Sequence, residues 1–188
     1  MHRRTYLASL GGAGAVGVGG VTVLPGETTL SDPTVHRESP RRRSLSFYAD
    51  DEEVANFGAD GTVEDGRVDV STELWHADWT RVRAIDLDVS MPSPDGDTAA
   101  NVGIVSPMTG DQGKPPSISL TPSADGPGTV VEIHELRDLA DETISTLTLT
   151  VDPPAGATTL TLDAEIALSN RRLLSPDYTV TGAFDLQF

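Results

Sequence analysis

The sequence predicts an all-β protein, a single-domain antiparallel two-sheet sandwich. Three observations carry that prediction. First, apolar and polar residues alternate with period two. In Arg81 to Met91, Ile85, Leu87, Val89 and Met91 take one face, and Asp86, Asp88 and Ser90 take the other. Such segregation sets one face in a core and one in water. Second, turn residues recur at short spacing between these segments. Third, amphipathic helices long enough for βαβ crossovers are lacking, which disfavours a parallel sheet. The shape expected is immunoglobulin-like in outline, with a jelly roll as second choice. No Cys–Trp–Cys pattern marks a true immunoglobulin domain, and no fixed repeat suggests a propeller or solenoid.

Residues 1–26 read as an export signal rather than part of the fold. Arg3-Arg4-Thr5-Tyr6-Leu7 precedes an apolar run from Leu7 to Leu24 that holds six glycines and ends at Pro25-Gly26. As a helix of ~1.5 Å rise per residue the run reaches roughly 27 Å, barely a membrane span. Its glycines make it a poor helix, so cleavage is expected rather than a lasting anchor. The paired arginines and the bulky Tyr6-Leu7 pair resemble a twin-arginine translocation signal, departing from its fullest form at His2 and Ala8. No cysteine follows, which excludes a lipid-anchored version. Gly12-Ala13-Gly14-Ala15-Val16-Gly17 mimics a dinucleotide fingerprint, but no strand precedes it and a proline soon follows.

Residues 27–43 are polar, with Pro33, Pro40 and no apolar period, and read as a flexible tether. Arg41-Arg42-Arg43 at its end reads as solvated charge, pairing loosely with Asp50-Asp51-Glu52-Glu53. The folded domain is expected over residues 44–188. Ser44 to Tyr48 is a short strand. Asp60-Gly61 and Asp65-Gly66 punctuate a hairpin-like stretch through Val63 and Val70. Arg81 to Met91 is the strongest strand, ended by Pro92 to Gly96. Weaker strands follow at Asn101 to Val105 and Ile118 to Leu120. Thr129 to His134 alternates Val131 and Ile133 against Glu132 and His134. Leu136 to Glu142 reads as a helical turn or a loop. Ile144 to Val151, Thr158 to Ser169 and Tyr178 to Leu186 complete the set, each with an apolar face. The count is seven to nine strands.

Charge narrows the setting. The chain has 29 acidic and 13 basic residues and a formal charge of −16, which becomes −18 without Arg3 and Arg4. Lys114 is its one lysine. Like charges repel over a Debye length of ~8–10 Å in dilute buffer and ~3 Å in molar salt. An Asp-rich, Lys-poor surface with few large apolar residues resembles a haloarchaeal exported protein, and the twin-arginine resemblance agrees. The sign of the charge excludes nucleic-acid binding. With no cysteine, the fold has to rest on its core alone. No transmembrane span is expected in the mature chain. The expected location is the cell surface or the medium, with an envelope protein or a surface glycan as partner.

Motifs for chemistry are sparse. Trp75-His76-Ala77-Asp78-Trp79 holds both tryptophans. Trp75, His76, Asp78 and Trp79 are the candidate ligand-binding residues, an aromatic platform with polar handles for a sugar ring or an apolar partner. Strand geometry would put Trp75, Ala77 and Trp79 on one face and His76 and Asp78 on the other. The competing reading is that both rings close the core. Asp95 and Asp97, in an Asp-Gly-Asp loop, are the candidate calcium ligands, although the fragment lacks the third acid and distal Glu of an EF-hand loop. No other cofactor is expected. His134-Glu135 does not continue to H-E-x-x-H, and no spacing demands zinc at His76, His134 and a carboxylate. No Ser lies in G-x-S-x-G, so no catalytic residue is assigned. Binding or assembly is favoured over enzymatic activity, with a secreted carbohydrate-binding module or hydrolase using the Trp75–Trp79 segment as the alternative.

Overall fold

The computed structural model describes residues 26–106, 116–124, 126–134, 136 and 144–188. Twelve strands are found among them: β1 (Glu27–Leu30), β2 (Thr34–Ser39), β3 (Arg42–Ala49), β4 (Glu52–Glu64), β5 (Arg67–His76), β6 (Thr80–Ser90), β7 (Asn101–Ser106), β8 (Ser117–Pro122), β9 (Thr129–His134), β10 (Ile144–Asp152), β11 (Thr159–Asn170) and β12 (Asp177–Gln187). They form two six-stranded sheets, ordered β1-β12-β11-β6-β9-β8 and β2-β3-β4-β5-β10-β7. The all-β sandwich expected from the alternation is what forms. Every pairing is antiparallel except that β1 runs parallel to β12.

The core lies between the two inner faces. Leu160, Leu162, Ile166 and Leu168 of β11 are fully buried, and face such residues as Phe47, Leu74 and Leu149 of the other sheet. Phe57 and Phe184 meet there at 5.9 Å between ring centroids. Gly182 lets β12 approach β3, since a Cβ there would lie 2.8 Å from Leu45 Cδ1.

Two tight hairpins explain the long central strands. Asp65 and Gly66 both adopt left-handed φ (51° and 81°), the pair of values a two-residue primed turn needs. Asp50 and Asp51 do the same between β3 and β4 (49° and 67°). Asp tolerates this region better than most residues. Asp60-Gly61, expected as a turn, instead lies inside β4, paired with Ser71 and Val70.

The tether expected at residues 27–43 is a correction. These residues form β1, β2 and the start of β3. β2 is exposed along its whole length, so its pairing with β3 left no apolar period to read. Arg41-Arg42-Arg43 and the Asp50–Glu53 run therefore sit at opposite ends of β3 and do not pair. Arg42 instead bridges Glu38 at 3.2 Å, and Arg41 lies over the Phe188 ring. Two expectations lie outside the described residues: the signal over 1–26, of which only Gly26 is described, and the helical turn beyond Leu136.

Candidate functional site

One end of the sandwich gathers three connections: the β3–β4 turn, the β5–β6 turn and the β11–β12 loop. An open cleft of about 390 Å³ lies here, lined by Glu52, Glu53, Trp75, His76, Ala77, Asp78 and Trp79. All four sequence-predicted ligand residues line it, joined by Glu52 and Glu53 of β4, which the sequence suggested only as loose partners of Arg41-Arg42-Arg43.

Their orientations differ from strand geometry. Inward residues of β5 run Val68, Val70, Thr72, Leu74 and His76, so Trp75 points outward. The alternation then stops, because the Thr80 amide donates to Ala77 O at 2.9 Å and closes a turn. Trp75 and Trp79 are consequently not a co-facial platform. Nor do both rings close the core. Trp75 is partly buried on the outer face, in register with Asn56 and Ile144, and Ile144 is 53 % exposed. Trp79 packs on the core and meets the edge of Tyr178 at 6.0 Å.

Trp79 is also capped. The Arg172 guanidinium lies 4.0 Å from its ring centroid, and Arg172 Nη1 bridges Glu52 Oε2 at 2.6 Å. The loop that carries Arg172 is fixed by its own polar contacts. Arg171 N donates to Trp79 O at 2.8 Å, Arg172 N to Asn170 Oδ1 at 2.8 Å, and Asn170 N to Asp177 Oδ1 at 2.8 Å. Burial, aided by the Asp50 carboxylate, pushes the Tyr178 phenol above its ordinary value, so it stays protonated beneath the cleft.

His76 is 1 % exposed. Its Nδ1 lies 3.0 Å from both Ala77 O and Thr80 Oγ1, and the Thr80 hydroxyl already donates to Ala77 O at 2.8 Å. Nδ1 must therefore carry the proton and donate. Nε2 is buried with no hydrogen-bond partner among the described residues. His76 thus pins the β5–β6 turn. The residues free to meet a ligand are Trp75, Glu53 and Asp78.

Arg172, Glu52, Asn170 and Tyr178 were missed by sequence reasoning. The only local signal was Arg171-Arg172-Leu173-Leu174, an unusual run between two strands. Leu173 and Leu174 are 94 % and 78 % exposed at that loop's tip.

Of the two candidate calcium ligands, Asp95 has one oxygen engaged by its own turn. Ser93 Oγ and the Asp97 amide both donate to Asp95 Oδ1, with Gly96 at φ 78° between them. The Ser93 contact, and then the Asp97 amide, hold Asp95 below the ordinary carboxylate range. His76 and His134, weighed together for zinc, are apart: His76 is buried in one sheet, and His134 is exposed on the outer face of the other.

Among solved structures, the chain is similar to the full-length major pilin SpaD of Corynebacterium diphtheriae, at 17 % identity and TM-score 0.46. The match covers 69 % of this chain and 34 % of the pilin, so the chain spans about a third of that protein. The collagen-binding domain of a Staphylococcus aureus adhesin matches at 8 % identity and TM-score 0.40, over 69 % of this chain and 95 % of the adhesin domain. The N-terminal periplasmic domain of ScsB from Proteus mirabilis matches at 10 % identity and TM-score 0.37, over 76 % and 49 %. No curated protein matches the sequence. A family model described as a domain of unknown function, DUF8121, matches residues 27–188, which takes in β1 and β2 along with the rest of the sandwich. Over those residues the chain belongs to the DUF8121 family.

Proposed function

We propose that the chain is an exported, salt-adapted surface domain that acts by binding, and that it takes an envelope glycan in the cleft at Trp75. The observation that carries this reading is one partly exposed indole set beside carboxylates at an open cleft. A pyranose ring offers C–H groups to an indole face and hydroxyl donors to acceptor-only carboxylates. Glu53 and Asp78 are such acceptors, and Glu52 is held by Arg172. A cationic partner would also suit these acids. Molar salt cuts the Debye length to ~3 Å, however, and so favours stacking and hydrogen bonding over long-range charge attraction.

Support for export comes from Arg3-Arg4 before a glycine-rich apolar run, and for salt adaptation from the formal charge of −16. Among the described residues, no helix is long and apolar enough to cross a membrane.

The test is a titration of the purified protein with envelope glycan fractions in molar KCl, followed by tryptophan fluorescence. Trp75→Ala is expected to weaken binding roughly tenfold or more, as for an aromatic at the centre of a contact. Its melting temperature should hardly move, because the ring sits on the outer face. Unchanged affinity in Trp75→Ala would sink the proposal. Release of reducing sugar that stops in Glu53→Gln or Asp78→Asn would replace binding with hydrolysis.

A further inference from the structure

The outer face of the other sheet carries an arrangement that the cleft does not explain. Four side chains lie in one cross-strand row: Glu165 of β11 pairs with Asp86 of β6, Asp86 with Glu132 of β9, and Glu132 with Ser119 of β8. Three consecutive members of that row are carboxylates. Asp163 and Asp88 form a second acidic pair one step along the same strands. Like charges directly opposite one another on a sheet destabilise it. Random halophilic decoration spreads charge over a surface. Here it is stacked in register on three adjacent strands.

His134 changes what the cluster can do. It lies two residues after Glu132 and so shares its face. Ligand atoms of Asp86, Glu132 and His134 all lie within 4.8 Å of one another. A tetrahedral ion with bonds of about 2.0–2.2 Å needs its ligand atoms roughly 3.3–3.6 Å apart, so side-chain rotation of about 1 Å closes the site. Two further details point inward. Asp86 Oδ1 is buried and has no hydrogen-bond partner among the described residues, a costly condition for a carboxylate oxygen. Ser119 Oγ donates to Glu132 Oε2 at 2.8 Å, which orients that carboxylate and leaves its other oxygen for a ligand.

We infer that Asp86, Glu132 and His134 form a binding site for a divalent transition cation of the zinc class. One imidazole and two carboxylates are donors that zinc-class ions accept, whereas calcium takes oxygen ligands alone. Three protein ligands leave the remaining position to water or an anion. The ion would clamp β9 to β6 and neutralise the acidic row. It is a site apart from the Trp75 cleft and owes nothing to the Asp95 loop.

The test is calorimetric titration of the chelator-treated, full-length protein with zinc chloride in molar KCl. One equivalent per chain is expected to bind saturably. His134→Gln and Asp86→Asn should each weaken affinity at least tenfold, and Asp95→Asn should leave it unchanged. Calcium, titrated alone, should bind at least tenfold more weakly than zinc. Should Asp86→Asn fail to fold by circular dichroism, Glu132→Gln takes its place. The imidazole nitrogens of His134 should also shift in nuclear magnetic resonance spectra on zinc addition. Absence of saturable binding overturns the site. So does equal affinity in His134→Gln, which would mean diffuse screening by carboxylates, and so does a preference for calcium.

Discussion

Asp163 faces Asp88 across β11 and β6. Partial burial first, and then the Asp88 charge, raise its pKa above the ordinary 3.8. The folded chain therefore holds that proton more tightly than the unfolded chain does. Stability falls as pH rises from the ordinary value through the raised one, and above it the ionised carboxylate is a standing liability. Asp163→Asn is expected to raise the melting temperature at pH 7, and the gain should shrink as pH drops through the raised value and be gone below the ordinary 3.8. Molar salt screens the Asp88 part but not the burial part, so the gain should shrink in high salt without disappearing. A lower melting temperature for Asp163→Asn at pH 7 would count against this account. The same scale shows what single residues revealed of the cleft. Trp75 and Trp79 stood out by rarity. Arg172 did not, because its partners Trp79 and Glu52 are distant in sequence and meet it only through the fold.

Strands were legible where a strand has two unlike faces. β6, β9, β10, β11 and β12 separate buried from exposed residues and were placed to within a residue or two. β2 has no buried residue, and its strand character comes from ladder hydrogen bonds that a sequence does not display. The first half of β4 was hidden for another reason. Adjacent Val54 and Ala55 are both buried, which breaks the alternation, and of the inward positions Ala55, Phe57 and Ala59 two are small, so little hydrophobic contrast marks the pattern. The Glu165–Asp86–Glu132 row was equally invisible, since register between strands is set by hairpins and bulges remote from those residues. Packing between elements gives a prediction at β12. A side chain at Gly182 would press on fully buried Leu45, 2.8 Å away, and on Pro33, 3.1 Å away. Gly182→Val should cost about 1–3 kcal/mol by overpacking, a drop of several degrees in thermal unfolding. An unchanged transition would show that β3 and β12 have slack there.

At the scale of the whole molecule, net charge acts through self-repulsion. With a formal charge of −16 and acids stacked in rows, the folded state should lose stability as salt falls from molar to ~0.1 M, where the Debye length reaches ~10 Å. Thermal unfolding at the two salt levels checks this, and equal midpoints would refute salt adaptation. The neutral scaffold beneath that charge, a core without disulfides, was readable from composition and alternation. The closure of the sheet was not. Glu27–Leu30 lies beside Asp177–Val180, so the first described strand completes its sheet only against the last. That pairing has a consequence for timing. On the ribosome β12 emerges about 150 residues after β1, so β1 waits, without its sheet neighbour, while that whole stretch is made. The sandwich can finish only once β12 has emerged, and any carrier that accepts folded cargo has to act later still.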